Sequence, residues 1–178
     1  MEKSLLIAGF GGQGVMLIGK TLCLTANDNG MNATFFPAYG TAQRGGTANC
    51  TCIISDEEIG SPVCETFDNL IVMNEPSYQK FAPTLKEGGE IILNSSMVTS
   101  RPADGVKYYA IDSIKIANDL GNTKVANMVI LGAYIAVAGN LDVDQVKEQV
   151  KHALHGKEAL FDINMKAIDA GIAAVKSA

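Results

Sequence analysis

The fold of this chain is set by its opening stretch, Ser4-Leu5-Leu6-Ile7-Ala8-Gly9-Phe10-Gly11-Gly12-Gln13-Gly14. The apolar run at its start is typical of an interior parallel strand that is covered on both faces. A turn with four glycines in six residues follows, and a long apolar segment begins at Val15. A strand, a glycine turn and a helix in this order predict the start of a doubly wound α/β domain.

The composition favours one domain that works inside a complex. The 178 residues fit a single domain, 1–178. Charged residues make up 19% of the chain, which is below the roughly 25% of an average soluble domain, so we expect a partner to cover part of the surface. The net charge of −5 argues against nucleic acid and against an anionic membrane as partners.

No segment of the sequence has the features of a signal peptide or of a membrane-spanning helix. Glu2 and Lys3 precede an apolar run of only five residues, which is too short for a signal peptide. The longest apolar stretch without Lys or Arg covers 15 residues, from Val125 to Gly139, and is too short to cross a bilayer. We therefore expect a cytoplasmic protein with reduced thiols.

The rest of the chain supplies the remaining strands of a sheet. A second strand begins at Ala33 and is expected to break at Pro37, and a third covers 48–55. No segment of helical length separates these two, so they are expected to pair antiparallel. Later strands at about 70–73, 90–93 and 106–110 alternate with helical segments. The prediction is a three-layer α/β/α, Rossmann-like fold with a mostly parallel sheet and one antiparallel strand pair.

Two helices are unusually apolar, and two others show clear end signals. The helix at about 13–27 has Met16, Leu17 and Leu24 outside its core-facing stripe, so we expect a partner to cover its second side. The segment 125–139 is apolar almost all round, which predicts burial in the core or in an interface.

A helix from Pro76 is expected to end at Gly88-Gly89. Asp142 has the position of a helix N-cap.

The glycine turn overlaps two nucleotide-binding motifs, and both are rejected. Gly9, Gly11 and Gly14 have the G-x-G-x-x-G spacing, but the second strand ends without the acidic residue that holds a dinucleotide ribose. The segment Gly14–Thr21 matches G-x-x-x-x-G-K-T. Its four bulky apolar residues continue a helix, which would leave Lys20 well inside the helix and away from any phosphate.

The cysteine and histidine residues give no chemical site. Cys50 and Cys52 lie two apart in a strand, so both point to one face as small apolar residues. The four cysteines have neither a CxxC pair nor the spacing of a ferredoxin cluster. His152 and His155 fall near a helix C-terminus, where they would complement the helix dipole. We therefore predict no catalytic residue and no metal ligand.

A second glycine-rich loop contains Arg44-Gly45-Gly46. An arginine followed by bare backbone N–H groups suits an anion. An ordinary strand connection with Arg44 in a surface ion pair explains the same residues, and both interpretations stay open. In an α/β sheet the ligand-bearing loops gather at the carboxyl ends of the strands. This loop is therefore expected beside Gly11-Gly12-Gln13.

These two loops, in this order, resemble the gamma subunit of the 2-oxoacid:ferredoxin oxidoreductases. The family pattern has a G-x-G-G-Q-G turn, matched by Gly9–Gly14, and an R-G-G loop, matched by Arg44–Gly46. The likeness covers essentially the whole chain. Further matching positions are Ile54-Ser55, Ser61-Pro62, Asn74-Glu75-Pro76-Ser77-Tyr78, Leu93-Asn94-Ser95-Ser96, Asn127-Met128, Leu131-Gly132 and Asn164.

The resemblance implies a subunit of an enzyme that oxidatively decarboxylates a 2-oxoacid to an acyl-CoA and reduces ferredoxin. In that family, thiamine diphosphate and iron–sulfur clusters are held by other subunits or domains, so this chain would bind no cofactor alone. Its partners would be the alpha and beta subunits, with a delta subunit as a further candidate, and ferredoxin would accept the electrons. The residues implied to face CoA or a partner subunit are Gly11, Gly12, Gln13, Arg44, Gly45 and Gly46.

The substrate and the class of function keep alternatives. The type specific for 2-oxoglutarate or a branched-chain 2-oxoacid is the first interpretation. Gln43 before Arg44 resembles the indolepyruvate branch, so the small subunit of an indolepyruvate ferredoxin oxidoreductase is the second. A stand-alone nucleotide-binding or interaction module is the third.

Overall fold

The computed structural model describes residues 1–40 and 46–176. Over these residues the chain alternates strands and helices, with short 3₁₀ turns between some of them. The strands are β1 (Glu2–Phe10), β2 (Asn32–Tyr39), β3 (Thr47–Ser55), β4 (Phe67–Val72), β5 (Leu85–Asn94) and β6 (Lys107–Ile111). The helices are α1 (Val15–Asp28), α2 (Glu75–Phe81), α3 (Ser113–Asp119), α4 (Ala126–Ala138), α5 (Val143–Ala153) and α6 (Phe161–Lys176).

The strands form one mixed sheet in the order β2-β3-β1-β4-β5-β6. β1, β4, β5 and β6 run parallel to one another, and β3 runs antiparallel to both β2 and β1. The α/β class with a mostly parallel sheet and an antiparallel pair is thus confirmed. β1 lies inside the sheet, where its apolar run is covered on both faces.

Pro37 does not end β2, contrary to the expectation from the sequence. It lies inside the strand, opposite Cys50 of β3, and the strand continues to Tyr39. β2 is an edge strand, so a residue without a backbone N–H can lie there with its nitrogen turned away from the ladder.

The two faces of the sheet are covered very unequally. One face is buried under α1, α3, α4, α5 and α6, whose apolar side chains form one cluster with β1, β3, β4 and β5. The other face carries a smaller cluster beneath α2, built on Leu70, Val72, Ile91 and Leu93 with Tyr78 above them. The second outer layer therefore reduces to one short helix and its flanking segments.

α2 is shorter than the sequence predicts. Asn74 caps its N-terminus by accepting a hydrogen bond from the Ser77 N–H, and the helix ends at Phe81. Pro83 follows in a 3₁₀ turn, where its missing N–H stops the α-helical pattern. The expected end at Gly88-Gly89 is wrong, because both glycines lie inside β5.

The apolar helices are covered largely by the chain itself. Met16 and Leu17 of α1 pack against the main core cluster, so the expected partner over that side of the helix is not needed for them. Leu24 stays 41% exposed. α4 is buried almost throughout, as its all-round apolar character predicts. Among the described helices, none combines the length and the apolar character that a bilayer-spanning segment needs.

Candidate functional site

The glycine turn occupies the carboxyl end of β1 and begins α1. Gly12 has φ 99° and Gly14 has φ 76°, backbone conformations that side chains with a Cβ rarely adopt. Gly14 is the N-cap of α1 and supplies no side-chain hydrogen bond to it. The turn is closed by a hydrogen bond of 3.1 Å from the Gln13 N–H to the Phe10 carbonyl.

The Gln13 side chain ties this turn to the next strand of the sheet. Its Oε1 accepts hydrogen bonds from the Phe10 N–H at 2.7 Å and from Asn74 Nδ2 at 2.8 Å. Its Nε2 donates to the Met73 carbonyl at 3.3 Å. Gln13 therefore turns toward the ends of β1 and β4, and its amide is largely occupied by the chain itself.

Two buried asparagines extend this network to the neighbouring strand ends. Asn74 and Asn94 are each 1% exposed. Asn94 Nδ2 donates to the Met73 carbonyl at 3.3 Å, so that oxygen accepts from both Asn94 and Gln13. Asn94 Oδ1 accepts from the Ser113 hydroxyl at 2.8 Å. This network was not predicted, although an asparagine at the end of each of two buried strands was a usable signal.

A cleft of about 200 Å³ lies beside the glycine turn, at the carboxyl ends of β1, β4 and β5. In open α/β sheets, ligands usually bind in the crevice outside the carboxyl ends of the strands, at the point where the strand order reverses. Lys124 is the one charged side chain among the residues that line the cleft, and it makes no ion pair within the described part of the chain. The lining residues are Gly12, Gln13, Gly14, Met73, Asn94, Ile114, Thr123, Lys124, Ala126 and Asn127.

The far wall of the cleft comes within contact distance of the turn. A Cβ placed on Gly14 would lie 2.2 Å from Nδ2 of Asn127, so Gly14 is required by this approach as well as by its backbone angles. No local sequence pattern links Asn127 or Lys124 with the turn, because about a hundred residues separate them along the chain.

The second loop meets the first, as the sequence predicts for Gly46. The Gly11 N–H donates a hydrogen bond of 2.9 Å to the Gly46 carbonyl. On the other side of the loop, the Gly40 N–H donates to the Thr47 carbonyl at 2.8 Å. Arg44 and Gly45 lie outside the described residues, so the geometry covers Gly11, Gly12, Gln13 and Gly46 of the predicted set.

Lys20 and Thr21, the last two residues of the rejected P-loop match, both lie inside helix α1. Lys20 is exposed on α1, and Thr21 is buried on its inner side with no hydrogen bond to its hydroxyl. His152 lies in the last turn of α5, and His155 follows the helix. Across residues 1–40 and 46–176, no three His, Cys, Asp or Glu side chains come together in a geometry that would hold a metal ion.

The cysteines form a buried thiol group that does not fit an iron–sulfur cluster. Cys23, Cys50 and Cys52 are free and buried between α1 and the sheet. Hydrogen bonds with the Cys23 and Cys50 thiols, and burial, raise the pKa of Cys52 well above its ordinary value. Gly19 approaches so closely that a Cβ there would lie 2.6 Å from Cys50 Sγ. The three thiols are therefore close-packed core groups, as predicted for Cys50 and Cys52.

Known proteins resemble this chain over nearly its whole length. Residues 4–174 match the family described as pyruvate ferredoxin/flavodoxin oxidoreductase. The ketoisovalerate oxidoreductase subunit VorA of Methanothermobacter thermautotrophicus is 39% identical, over 96% of this chain and 36% of its own length. The 2-oxoglutarate synthase subunit KorC of the same organism is 33% identical, over 96% of this chain and 94% of its own. The chain thus spans about a third of VorA and nearly all of KorC.

Two further comparisons bear on the fold and on the alternative substrate. The crystal structure of a keto/oxoacid ferredoxin oxidoreductase gamma subunit from Geobacter sulfurreducens superimposes with a TM-score of 0.84 and 31% identity, covering 99% of both chains. The indolepyruvate oxidoreductase subunit IorB of Pyrococcus horikoshii is less similar, at 27% identity over 98% of this chain and 96% of its own. The family match extends over nearly the whole chain, and it is accompanied by relatives above 30% identity. This chain therefore belongs to the pyruvate ferredoxin/flavodoxin oxidoreductase family.

Proposed function

We propose that this chain is the gamma-type subunit, a single domain over 1–178, of a complex that oxidatively decarboxylates a 2-oxoacid to an acyl-CoA and reduces ferredoxin. The observation that carries the proposal is the hydrogen bond between Gly11 and Gly46, which joins the two loops of the gamma pattern at the ligand edge of the sheet. The full-length likeness to the Geobacter sulfurreducens gamma subunit supports it.

The chemistry of such a complex is supplied by groups on other chains. Thiamine diphosphate and iron–sulfur clusters provide the decarboxylation and the electron transfer in these enzymes, and this chain is proposed to hold neither. Its partners are proposed to be the alpha and beta subunits, with a delta subunit as a further candidate, and ferredoxin as the acceptor of the complex. A cytoplasmic location belongs to the same proposal.

The role of this chain is to shape the place where CoA enters. Gly12 is exposed and has open space where a Cβ would be, so a ligand can approach the backbone closely. Lys124 gives the neighbouring cleft a positive charge. Arg44 and Gly45, predicted from the sequence, would add a cation and further backbone N–H groups to the same edge. Gln13 has a supporting part, since its side chain holds the turn in position.

The proposed CoA role is tested with Arg44→Ala in the assembled complex. We expect the KM for CoA to rise about tenfold or more, because a charge-assisted contact to phosphate is lost, while kcat and assembly change little. Lys20→Ala is the matched control, since Lys20 is exposed on α1. An unchanged KM for CoA together with intact assembly would show that Arg44 does not face CoA.

The substrate is tested by assaying the native complex with three 2-oxoacids. A branched-chain acid such as 2-oxoisovalerate is the first candidate because VorA is the more similar relative, and 2-oxoglutarate is the second because KorC matches over nearly its full length. Turnover of indolepyruvate in preference to both would favour the indolepyruvate alternative. A monomer that binds a nucleotide and co-purifies with no iron-containing chain would instead support the stand-alone module.

A further inference from the structure

The outer half of the second sheet face has no helix over it within the described chain. In antiparallel pairs, residues opposite each other point to the same face. Phe36 of β2 is opposite Thr51 of β3, which is opposite Leu6 of β1. Leu6 is buried in the cluster beneath α2, Thr51 is half-buried, and Phe36 is 50% exposed. Along this row, cover is therefore lost step by step toward the β2 edge.

This surface carries no charge. We name it the β2–β3 face, defined by Thr34, Phe36 and Ala38 of β2 with Asn49 and Thr51 of β3. Neither β2 nor β3 contains an Asp, Glu, Lys or Arg residue at any position. Exposed edge strands are normally protected from pairing with another strand by charged side chains or by proline. β2 has Pro37 but no charged side chain.

The opposite edge of the same sheet shows the usual protection. β6 begins with Lys107, which forms an ion pair with Glu90 of β5. None of the ion pairs among the described residues involves β2 or β3. A partner could therefore cover the β2–β3 face without burying a charged side chain of either strand.

We infer that the β2–β3 face is the docking surface for a companion chain of the oxidoreductase complex. That companion chain contacts Phe36 through an uncharged, apolar surface of its own. The inference rests on the proposed function. Two observations select this occupant over a second copy of the chain. Most of VorA lies outside the region that matches this chain, so in that relative the same domain exists beside a larger polypeptide. A second copy would also bring two chains of net charge −5 together.

The test is recovery of the complex through a tag on this chain, with bound iron and thiamine diphosphate as the readout. Phe36→Lys is expected to reduce both by at least about tenfold, because a charge would be buried in an apolar contact. Tyr108→Lys is the matched control, since Tyr108 is an aromatic residue on the β6 edge that is 40% exposed, and recovery should be unchanged. Circular dichroism of each isolated variant reports whether it is folded.

Hydrogen–deuterium exchange of the wild-type chain gives a second readout that needs no variant. Amides of 34–38 and 49–51 are expected to exchange at least about tenfold more slowly in the complex than in the isolated chain. Equal exchange, full recovery with Phe36→Lys, or an isolated wild-type dimer that Phe36→Lys dissociates would overturn the inference while leaving the proposed function intact. A wild-type chain that recovers no iron or thiamine diphosphate would overturn both.

Discussion

Gly132 of α4 and Gly171 of α6 lie against each other's helix backbone. A Cβ on Gly132 would be 2.0 Å from the Ile168 carbonyl oxygen, and a Cβ on Gly171 would be 1.9 Å from that of Val129. The two glycines thus allow the buried helix α4 to pack at backbone distance against α6. This contact anchors the helical layer whose other end supplies Asn127 and Lys124 to the cleft.

Gly171→Ala is expected to destabilise the protein by about 1–3 kcal/mol, because the added methyl forces the two helices apart. Urea denaturation followed by circular dichroism measures the change. Gly60→Ala is the control, since a Cβ at Gly60 meets nothing within 4 Å. Equal stability of the two variants would mean that the helix packing is looser than described.

Gly14→Ala is expected to destabilise more than Gly12→Ala. Both glycines have positive φ, and a Cβ there costs roughly 1–2 kcal/mol. At Gly14 the methyl would also collide with Asn127, whereas at Gly12 it meets open space. The double variant Gly14→Ala/Asn127→Ala should recover part of the loss. Thermal unfolding of the wild type, Gly14→Ala, Asn127→Ala and the double variant measures the coupling. Additive effects would contradict the contact.

Gln13→Leu is expected to destabilise the protein by about 1–3 kcal/mol, since the Phe10 N–H and the Asn74 amide lose their acceptor. Backbone exchange at residues 10–14 should accelerate with it. Gln145→Leu on the exposed side of α5 is the matched control and should have little effect. If both variants unfold at the same urea concentration as the wild type, Gln13 does not hold the turn.

Acid is expected to loosen the segment after β5 through Glu75. Hydrogen bonds from the Ser100 hydroxyl, from Gln79 and from the Ser100 and Thr99 N–H groups lower the pKa of Glu75 from 4.5 to about 2. A lowered pKa stabilises the folded state above pH 4.5 and loses that contribution as the pH falls toward 2.

NMR amide signals of Thr99 and Ser100 should therefore shift with a midpoint near pH 2, below the ordinary range of a glutamate. Glu75→Gln is the control, because it removes the titrating group and keeps the side-chain size. A midpoint near 4.5, or the same profile in the variant, would exclude the carboxylate as the cause.

The parts of the fold that depend on neighbouring residues are predictable from the sequence. The strand–glycine–helix opening and the antiparallel β2–β3 pair follow from apolar runs and from the length of the segments between them. The Asp142 cap is also confirmed, with its carboxylate accepting from the N–H groups of Asp144 and Gln145. Each of these features can be recognised from a short stretch of consecutive residues.

The features that escaped prediction depend on position in the sheet or on distant contacts. Pro37 is tolerated because β2 is at the edge, which no local pattern reveals. The approach of Asn127 to Gly14, and the sharing of the Met73 carbonyl by Gln13 and Asn94, join segments that are far apart along the chain. The meeting of Gly11 with Gly46 was predictable because both loops end at one edge of the sheet.

The central position of β1 has a consequence for synthesis on the ribosome. Leu5 of β1 pairs with Cys52 of β3 and with Asn69 of β4. Because β1 precedes both neighbours along the chain, it must wait for them to be synthesised. Until then its apolar run is an unpaired edge that is prone to aggregate. We expect a chaperone to bind nascent chains that end near residue 60 more strongly than nascent chains in which β4 has emerged. Equal crosslinking of the two to the chaperone would contradict this, and stronger crosslinking of the shorter chain would mark β1 as the segment that needs protection during translation.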